Sequence, residues 1–287
     1  MAVKSGDGWT TCAAGHRHWG RFGAAGLLLR SAAGADPAVG LQLRARWSHH
    51  GGTWGLLGGA RDVDESAVEA ALREAGEEAS VHPEQLRVEA SYLDDHGGWG
   101  YTTVVASAVT ELRLRPRSDE SEAVRWVPLG QVDALSLHPG FAGTWPLLRD
   151  VGPAPVLVVD AANVIGSRPD GWWHDRAGAV ARLRDQLAAF ARAGAPSPVL
   201  GAAVSGLRVY PQVVLVVEGA ARGVSKVDDL QLVRASGSGD DALVEVVAAQ
   251  VPDGRSVVVV TADRELRGRV GALGAEVLGP RTLLDLL

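Results

Sequence analysis

Three glutamates in the stretch Gly59–Val81, GARDVDESAVEAALREAGEEASV, limit what this chain can be more than any other feature. The stretch opens on a Gly-Gly turn, passes an acidic lead-in at Asp64 and Glu65, and continues as an unbroken run of helix formers. On a helix, Glu74, Glu77 and Glu78 stand at i, i+3 and i+4 and share one face. Like charges so placed repel, and an ordinary surface helix gains nothing from them. A divalent cation reverses the sign. Hard carboxylate oxygens converging from one face suit Mg²⁺ or Mn²⁺, which keep several waters and also grip phosphate oxygens. Gly59 adds a backbone carbonyl free to approach such an ion closely. The plainer alternative is a solvated acidic face.

The chain of 287 residues has room for two cores, and 46% hydrophobic with 22% charged residues is the balance of a soluble globular protein. The net charge of −6 excludes a global basic field for nucleic acid. Divided near residue 153, the first part has 14 Lys+Arg against 19 Asp+Glu (−5) and the second 14 against 15 (−1). Any RNA contact therefore needs a local arginine cluster. The single cysteine, Cys12, excludes an internal disulfide and fits a reducing cytoplasm. No run nears the roughly 18 apolar residues of a membrane span, and the start, MAVKSGDGWTT, lacks a signal peptide's apolar core.

Residues 24–30 and 40–46 read as strands around the turn SAAGADP, and 85–93 and 101–112 as two more. Cys12, His16 and His18 offer three zinc ligands without an obvious fourth, although His49 and His50 are candidates; a packed structural segment is the preferred reading. The Gly- and Trp-rich loop Asp94–Gly100 is placed to cover a substrate. Trp99 or Tyr101 stacks there on a base, or packs the loop. Proline and glycine crowd residues 138–155 and mark a domain boundary.

Gly59, Glu65, Arg73-Glu74 and Glu77-Glu78 stand at the spacing of the Nudix box, so residues 20–150 resemble the Nudix hydrolases, which split diphosphates linked to another group X. Two positions depart from that pattern: Ser80 stands where a glycine is expected, and Ala75 where a bulky aliphatic is. The resemblance implies an α/β/α sandwich with a mixed sheet over residues 1–150. It also implies Mg²⁺ or Mn²⁺ held by Glu74, Glu77, Glu78 and the Gly59 carbonyl, and a nucleotide or nucleotide-derivative substrate. Glu74 is then the candidate base, with Glu122, in the segment ESEAVRWVPL, as the alternative. Arg73 and Glu65 are supporting residues that orient the cluster.

Four β-branched runs, 156–159, 213–217, 257–260 and 275–278, barely alternate, as strands buried on both faces do. Helices over 174–193 and 240–251 separate them, which predicts a doubly wound parallel sheet over residues 154–287. Asp160, Glu218 and Asp263 fall at strand ends and Asp240-Asp241 at a helix start, where such sheets bind ligands; helix capping is the plain alternative for Asp240. The segments VVDAANVIG, SGDDALVE and VVTADREL resemble the NYN branch of the PIN-like ribonucleases. That resemblance implies metal ligands at Asp160, Asp240, Asp241 and Asp263, with Asn163 matched beside them and Glu218 added by its strand-end place. Arg168, Arg176, Arg222, Lys226 and Arg264 are candidates for a phosphate path. Trp172 and Trp173 are read as packing under a loop rather than stacking on a base. The competing class of function is a nucleotide-sensing module without turnover, which the departure at Ser80 favours and the intact glutamate face opposes. The group X and the oligomeric state are set by loops and surfaces that one chain does not spell out.

Overall fold

The structure, a computed structural model, describes residues 5–32, 35–169, 171–197, 204–250 and 255–287. It divides into two units, Met1–Gly152 with Val204–Leu207, and Pro153–Ala203 with Arg208–Leu287. In the first, chain order is β1 (Trp9–Thr11), β2 (Arg17–Trp19), β3 (Ala24–Arg30), β4 (Ala38–Arg44), β5 (Trp54–Gly55) and β6 (Leu57–Ala60), then α1 (Ala67–Ala79), β7 (Leu86–Asp95), β8 (Gly100–Ala108), β9 (Ser121–Pro128) and α2 (Pro139–Leu148).

The sequence AAGLLLR makes β3 a strand buried nearly end to end, and it lies at the middle of a mixed sheet. It runs parallel to β8 and antiparallel to β4 and β6; β7 pairs with β8, and β5 and β9 with β4, all antiparallel. Helix α1 packs on the face formed by Ala25, Leu27, Leu29, Leu57, Val104 and Ala106. It meets them with Ala70, Ala71, Ala75 and Ala79, all fully buried. Methyl groups hold a helix closer to a sheet than branched side chains would, which explains the small residue at Ala75.

Both ends of α1 are fixed. Ser66 accepts from the Glu69 N–H at 3.2 Å while the Glu69 carboxylate accepts from the Ser66 N–H at 2.8 Å, a reciprocal capping box. At the other end Ser80 takes φ +56°, ψ +34°, and the Ser80 and Val81 N–H groups donate to the carbonyls of Gly76 and Ala75 at 3.2 Å each. This left-handed backbone costs a residue with a Cβ roughly 1–2 kcal/mol. After the entropy that glycine loses on folding, Ser80→Gly is expected to stabilise the protein by about 0.5–1 kcal/mol, a rise of about 2–4 °C in Tm for a unit of this size. An unchanged melting curve would remove backbone strain as the property of this position.

Three strand boundaries differ from the sequence reading, each for a local reason. β4 stops at Arg44 because the chain turns at Ala45, whose carbonyl accepts from the Ser48 N–H at 2.9 Å. β8 ends at Ala108, opposite Leu86, where its partner begins. The expected loop Asp94–Gly100 is a tight hairpin: Asp94 pairs with Tyr101 and Asp95 with Gly100, and the His96 N–H donates to Trp99 at 2.9 Å. Gly97 and Gly98, at φ +72° and +75°, supply the turn that only glycine enters freely.

The remaining elements are β10 (Val156–Asp160), α3 (Ala161–Gly166), α4 (Arg176–Ala193), β11 (Ala195–Pro196), β12 (Leu207–Val209), β13 (Gln212–Val217), β14 (Gln231–Arg234), α5 (Gly239–Gln250), β15 (Val257–Val260), α6 (Arg264–Gly271), β16 (Glu276–Leu278) and α7 (Pro280–Leu284). Five strands form a wholly parallel sheet in the order β14-β13-β10-β15-β16. Four of them are the apolar runs read from sequence. The fifth, β14, is a short edge strand, QLVR, whose alternating burial lacks the all-apolar signature. Helices α5 and α6 cover one face, with Leu243, Val247, Leu266 and Val270 on Val156, Val158, Val214, Val257 and Val259. Val251, expected to end α5, lies outside the described residues. Winding reverses beside β10, so the carboxyl ends of β10, β13 and β15 border the crevice where open α/β sheets bind ligands. Among the described residues no helix is long and apolar enough to cross a membrane.

Two candidate carboxylate centres

Helix α1 carries Glu78 into the first unit's interior, where only 6% of the residue remains exposed. Its Oε2 accepts from the Gly58 N–H at 2.8 Å, and both its oxygens lie 3.1 Å from Gln42 Nε2. Gln42, fully buried on β4, also donates to the Leu56 carbonyl at 2.7 Å and accepts from the Ser121 hydroxyl at 2.6 Å. Burial pushes the Glu78 carboxyl up to about 8, with the hydrogen bonds from Gln42 and Gly58 pulling against it and the Glu74 charge adding to it. Gln42 and Ser121 were not singled out by sequence. The available signal was a glutamine amid the apolar residues of GLQLRAR, at a position whose neighbours are core.

Glu74 lies against the strand that α1 faces. A Cβ on Gly59 would stand 2.6 Å from Glu74 Oε1 and 2.7 Å from its carboxyl carbon, so a side chain there would push the carboxylate from this place. Burial raises the Glu74 carboxyl, offset by its hydrogen bond to Arg73. Arg73 is a clamp. Its Nε and Nη2 donate to the two Glu65 oxygens at 2.8 and 3.0 Å, Nη1 to Glu74 Oε1 at 2.8 Å, and Nη2 also to the Ala60 carbonyl at 2.9 Å. The hydrogen bond from Arg73 holds Glu65 below the ordinary carboxylate range. Glu77 faces solvent, 3.7 Å from Arg73 Nη1. The buried Glu78 and the half-buried Glu74, both of raised proton affinity, stand beside a closely approached backbone, and hard oxygens of this kind are the donors that divalent cations select.

Glu122 is not joined to that cluster by any described contact. It accepts from the Arg46 N–H at 3.3 Å, with Arg46 Nε 3.7 Å away. Its neighbour Ser121 is the residue wired to Glu78, through Gln42. Both line a cavity of about 490 Å³ with Arg46, Trp47 and Arg117.

The second unit sets three carboxylates at or just past its strand ends, Asp160, Glu218 and Asp263, and a fourth, Asp240, in the first turn of α5. Asp160, 8% exposed, ends β10 and caps α3 through the Asn163 N–H at 3.0 Å, while the Thr261 hydroxyl donates to its other oxygen at 3.3 Å. Burial raises Asp160, and the charges of Asp240 and Glu218 raise it further. Asp240 is raised in the same way by burial, then by Asp263 and Glu218. Glu218 accepts from the Gly239 N–H at 2.9 Å and Asp263 caps α6 through the Leu266 N–H at 2.8 Å. Asp241 departs from the expected set: it pairs with Arg269 at 2.6 Å. Asn163 accepts from the Ala262 N–H at 2.9 Å, tying the ends of β10 and β15 together. Thr261 was missed by sequence; its signal was a hydroxyl directly after the apolar run of β15.

Other expectations are resolved or corrected. Of the two readings of Trp99 the structure shows the packed one: its Nε1 donates to the Gly20 carbonyl at 2.8 Å and its ring stacks on His18 at 4.0 Å. The Tyr101 hydroxyl lies over Gly26, where a Cβ would stand 2.0 Å from it. His49 and His50 are not neighbours of Cys12 but gather with His138, whose imidazole burial pushes down to about 4. Trp173 is 62% exposed rather than packed under a loop, while Arg176 lies over the Trp172 ring. Of the arginines considered for a phosphate path, Arg168 bonds Gln186 and Arg222 the carbonyls of Ser236 and Gly237.

The NUDIX domain profile matches residues 20–151. A Mycobacterium tuberculosis protein named "Putative 8-oxo-dGTP diphosphatase 3" is 49% identical over 158 residues, which cover 53% of this chain and 72% of that protein. A Bifidobacterium longum protein, "Nucleoside triphosphate pyrophosphatase/Nudix hydrolase fusion protein", is 45% identical over 50% of this chain and 31% of its own length. Among solved structures, a Nudix hydrolase from M. smegmatis, RenU, is 48% identical, covers 50% of this chain and 94% of its own, and aligns with a TM-score of 0.47. Since half the aligned residues are shared along most of the mycobacterial relative, and residues 20–151, matched by the domain profile, hold the glutamate helix, this chain belongs to the Nudix hydrolase family.

Proposed function

We propose that residues 1–150 form a Mg²⁺- or Mn²⁺-dependent hydrolase of nucleoside-diphosphate-linked substrates. The observation that carries this reading is Glu78 buried, proton-hungry and wired to Gln42 beside a Glu74 whose carboxylate a side chain at Gly59 would displace. Glu74, Glu77, Glu78 and the Gly59 carbonyl would hold the ion. When bound, it neutralises diphosphate oxygens and lowers the pKa of an attacking water. Glu74, its proton affinity raised by burial, takes that water's proton. Arg73 orients Glu74 and Glu65, and Gln42 fixes the Glu78 carboxylate. The cavity beside Ser121 offers Trp47 as an aromatic face and Arg46 and Arg117 as positive charge for the nucleotide. Helix α1 keeps its three glutamates and Ser80 completes its cap, which supports turnover over a module that only senses nucleotides.

A second reading rests on the four converging carboxylates of the other unit: residues 154–287 as a PIN-like NYN ribonuclease, with Asp160, Glu218, Asp240 and Asp263 holding Mg²⁺ or Mn²⁺ and activating water on RNA. Asp241 then serves through its pair with Arg269. Both activities belong to the cytoplasm in this reading.

One experiment tests both. Purified protein with Mg²⁺ or Mn²⁺ is offered 8-oxo-dGTP (the substrate class that the mycobacterial relative's name carries), ADP-ribose, a dinucleoside polyphosphate and a 5′-triphosphate RNA. Glu77→Gln is expected to lower phosphoanhydride turnover about 100-fold, a typical loss for one electrostatic contact to a transition state, and to leave RNA cutting intact. Asp160→Asn does the reverse. Folded wild type that turns over none of the panel ends the hydrolase reading.

A further inference from the structure

The β1–β2 ribbon holds a Cys-x3-His-x-His segment that the hydrolase does not use. Its two three-residue strands form a sheet of their own, and the Trp9–Trp19 pair at the open end is 44% exposed on each side. A two-stranded ribbon with so little core is marginal by itself. Its turn is nevertheless closely shaped. The Cys12 N–H donates to His16 at 3.0 Å, the Gly15 N–H to Cys12 at 2.9 Å, and the Ala13 N–H crosses to Gly97, on the β7–β8 hairpin, at 2.8 Å. That turn brings ligand atoms of Cys12, His16 and His18 within 4.8 Å of one another. Cys12 is buried, and His18 Nε2 is a buried nitrogen with no hydrogen-bond partner. A buried polar nitrogen is costly to leave without a partner. Trp99 fixes the plane of the His18 ring. His96, its ring 4.8 Å from His18, is held by Asp94 at 3.2 Å, the carboxylate–imidazole pairing that orients metal-binding histidines.

We propose that Cys12, His16 and His18 hold a Zn²⁺ ion that fixes the turn of the β1–β2 ribbon, the turn that meets the β7–β8 hairpin through Ala13 and His18. A thiolate with two imidazoles is the nitrogen–sulfur set of tetrahedral zinc, whereas Mg²⁺ and Mn²⁺ select oxygens, so the two kinds of ion sort themselves between this site and the glutamates. The fourth position falls to water, with His96 packed beside the His18 ring. Binding releases the Cys12 thiol proton.

Because the chain has one cysteine, thiolate spectroscopy reports on this site alone. Untagged full-length protein is titrated with Co²⁺. The expected result is a near-ultraviolet thiolate-to-Co²⁺ charge-transfer band that saturates at one ion per chain and is bleached by one equivalent of Zn²⁺. Cys12→Ser loses the band and binds Zn²⁺ at least about 100-fold more weakly, since even outer partners of a zinc ligand are worth 10–100-fold. Folded wild type with no thiolate band overturns the proposal, and that result does not depend on any variant folding. Undiminished Zn²⁺ binding by Cys12→Ser overturns it too, and moves the ion to the His49–His50–His138 group.

Discussion

Glu78→Gln is expected to make the metal-free protein more stable at pH 8 while abolishing phosphoanhydride turnover. Burial holds the folded carboxyl at about 8, against about 4.3 in an unfolded chain. The folded state therefore prefers the protonated form. Stability is greatest below the unfolded pKa and falls as pH rises from about 4.5 to about 8, where the folded group finally ionises. At about 1.4 kcal/mol per pH unit the loss is on the order of 5 kcal/mol. Glutamine carries no such dependence. One amide oxygen at the Oε2 position keeps both the Gly58 N–H, now at 2.8 Å, and Gln42, now at 3.1 Å. Denaturant midpoints at pH 5.5 and pH 8 should separate for the wild type and coincide much more nearly for the variant. Turnover with Mg²⁺ should drop about 1000-fold, because the lost charge is the most deeply placed of the set. Equal pH dependence in the two proteins would show that Glu78 ionises freely.

The second large effect is at Arg73. Arg73→Ala removes four hydrogen bonds, takes the guanidinium from the Ala60 carbonyl, and leaves Glu65, its side chain 14% exposed, with the Asp62 N–H but no countercharge from Arg73. Stranding a largely buried charge is among the costliest single changes, about 3–5 kcal/mol when burial is complete and on the order of 2–3 kcal/mol for this half-buried clamp. Arg73→Lys is expected to recover less than half of that, since a point ammonium cannot reproduce a planar fork that meets Glu65 with two nitrogens and Glu74 with a third. Turnover should fall with stability, because Glu74 loses the contact that orients it. A lysine variant as stable and active as the wild type would reduce Arg73 to a generic cation.

Much of this was legible in the sequence where a residue type has one physical use. The spacing of Glu74, Glu77 and Glu78 placed them on one helix, and the β-branched runs gave four of the five parallel strands. What escaped was polar and buried. Gln42 and Thr261 sit beside apolar runs, and only their three-dimensional partners, Glu78 and Asp160, reveal their use. The partner of Asp241 was hidden for a related reason: Arg269 stands 28 residues away in sequence. For Trp99 the sequence left stacking on a base and packing the loop equally open, and only its three-dimensional partners, the Gly20 carbonyl and the His18 ring, show the packing.

The alanine face of α1 has a further consequence. Alanine has no rotamers to lose, so docking this helix carries almost no side-chain entropy penalty, yet each methyl also returns little hydrophobic free energy. The helix is positioned closely but held weakly by its own packing, with the capping box and the Arg73 clamp supplying much of the grip. Such a segment opens locally before the sheet beneath it. Amide hydrogens of residues 70–80 should therefore exchange well ahead of those in β3 and β8, and warming should cost this protein its glutamate centre before it costs the fold.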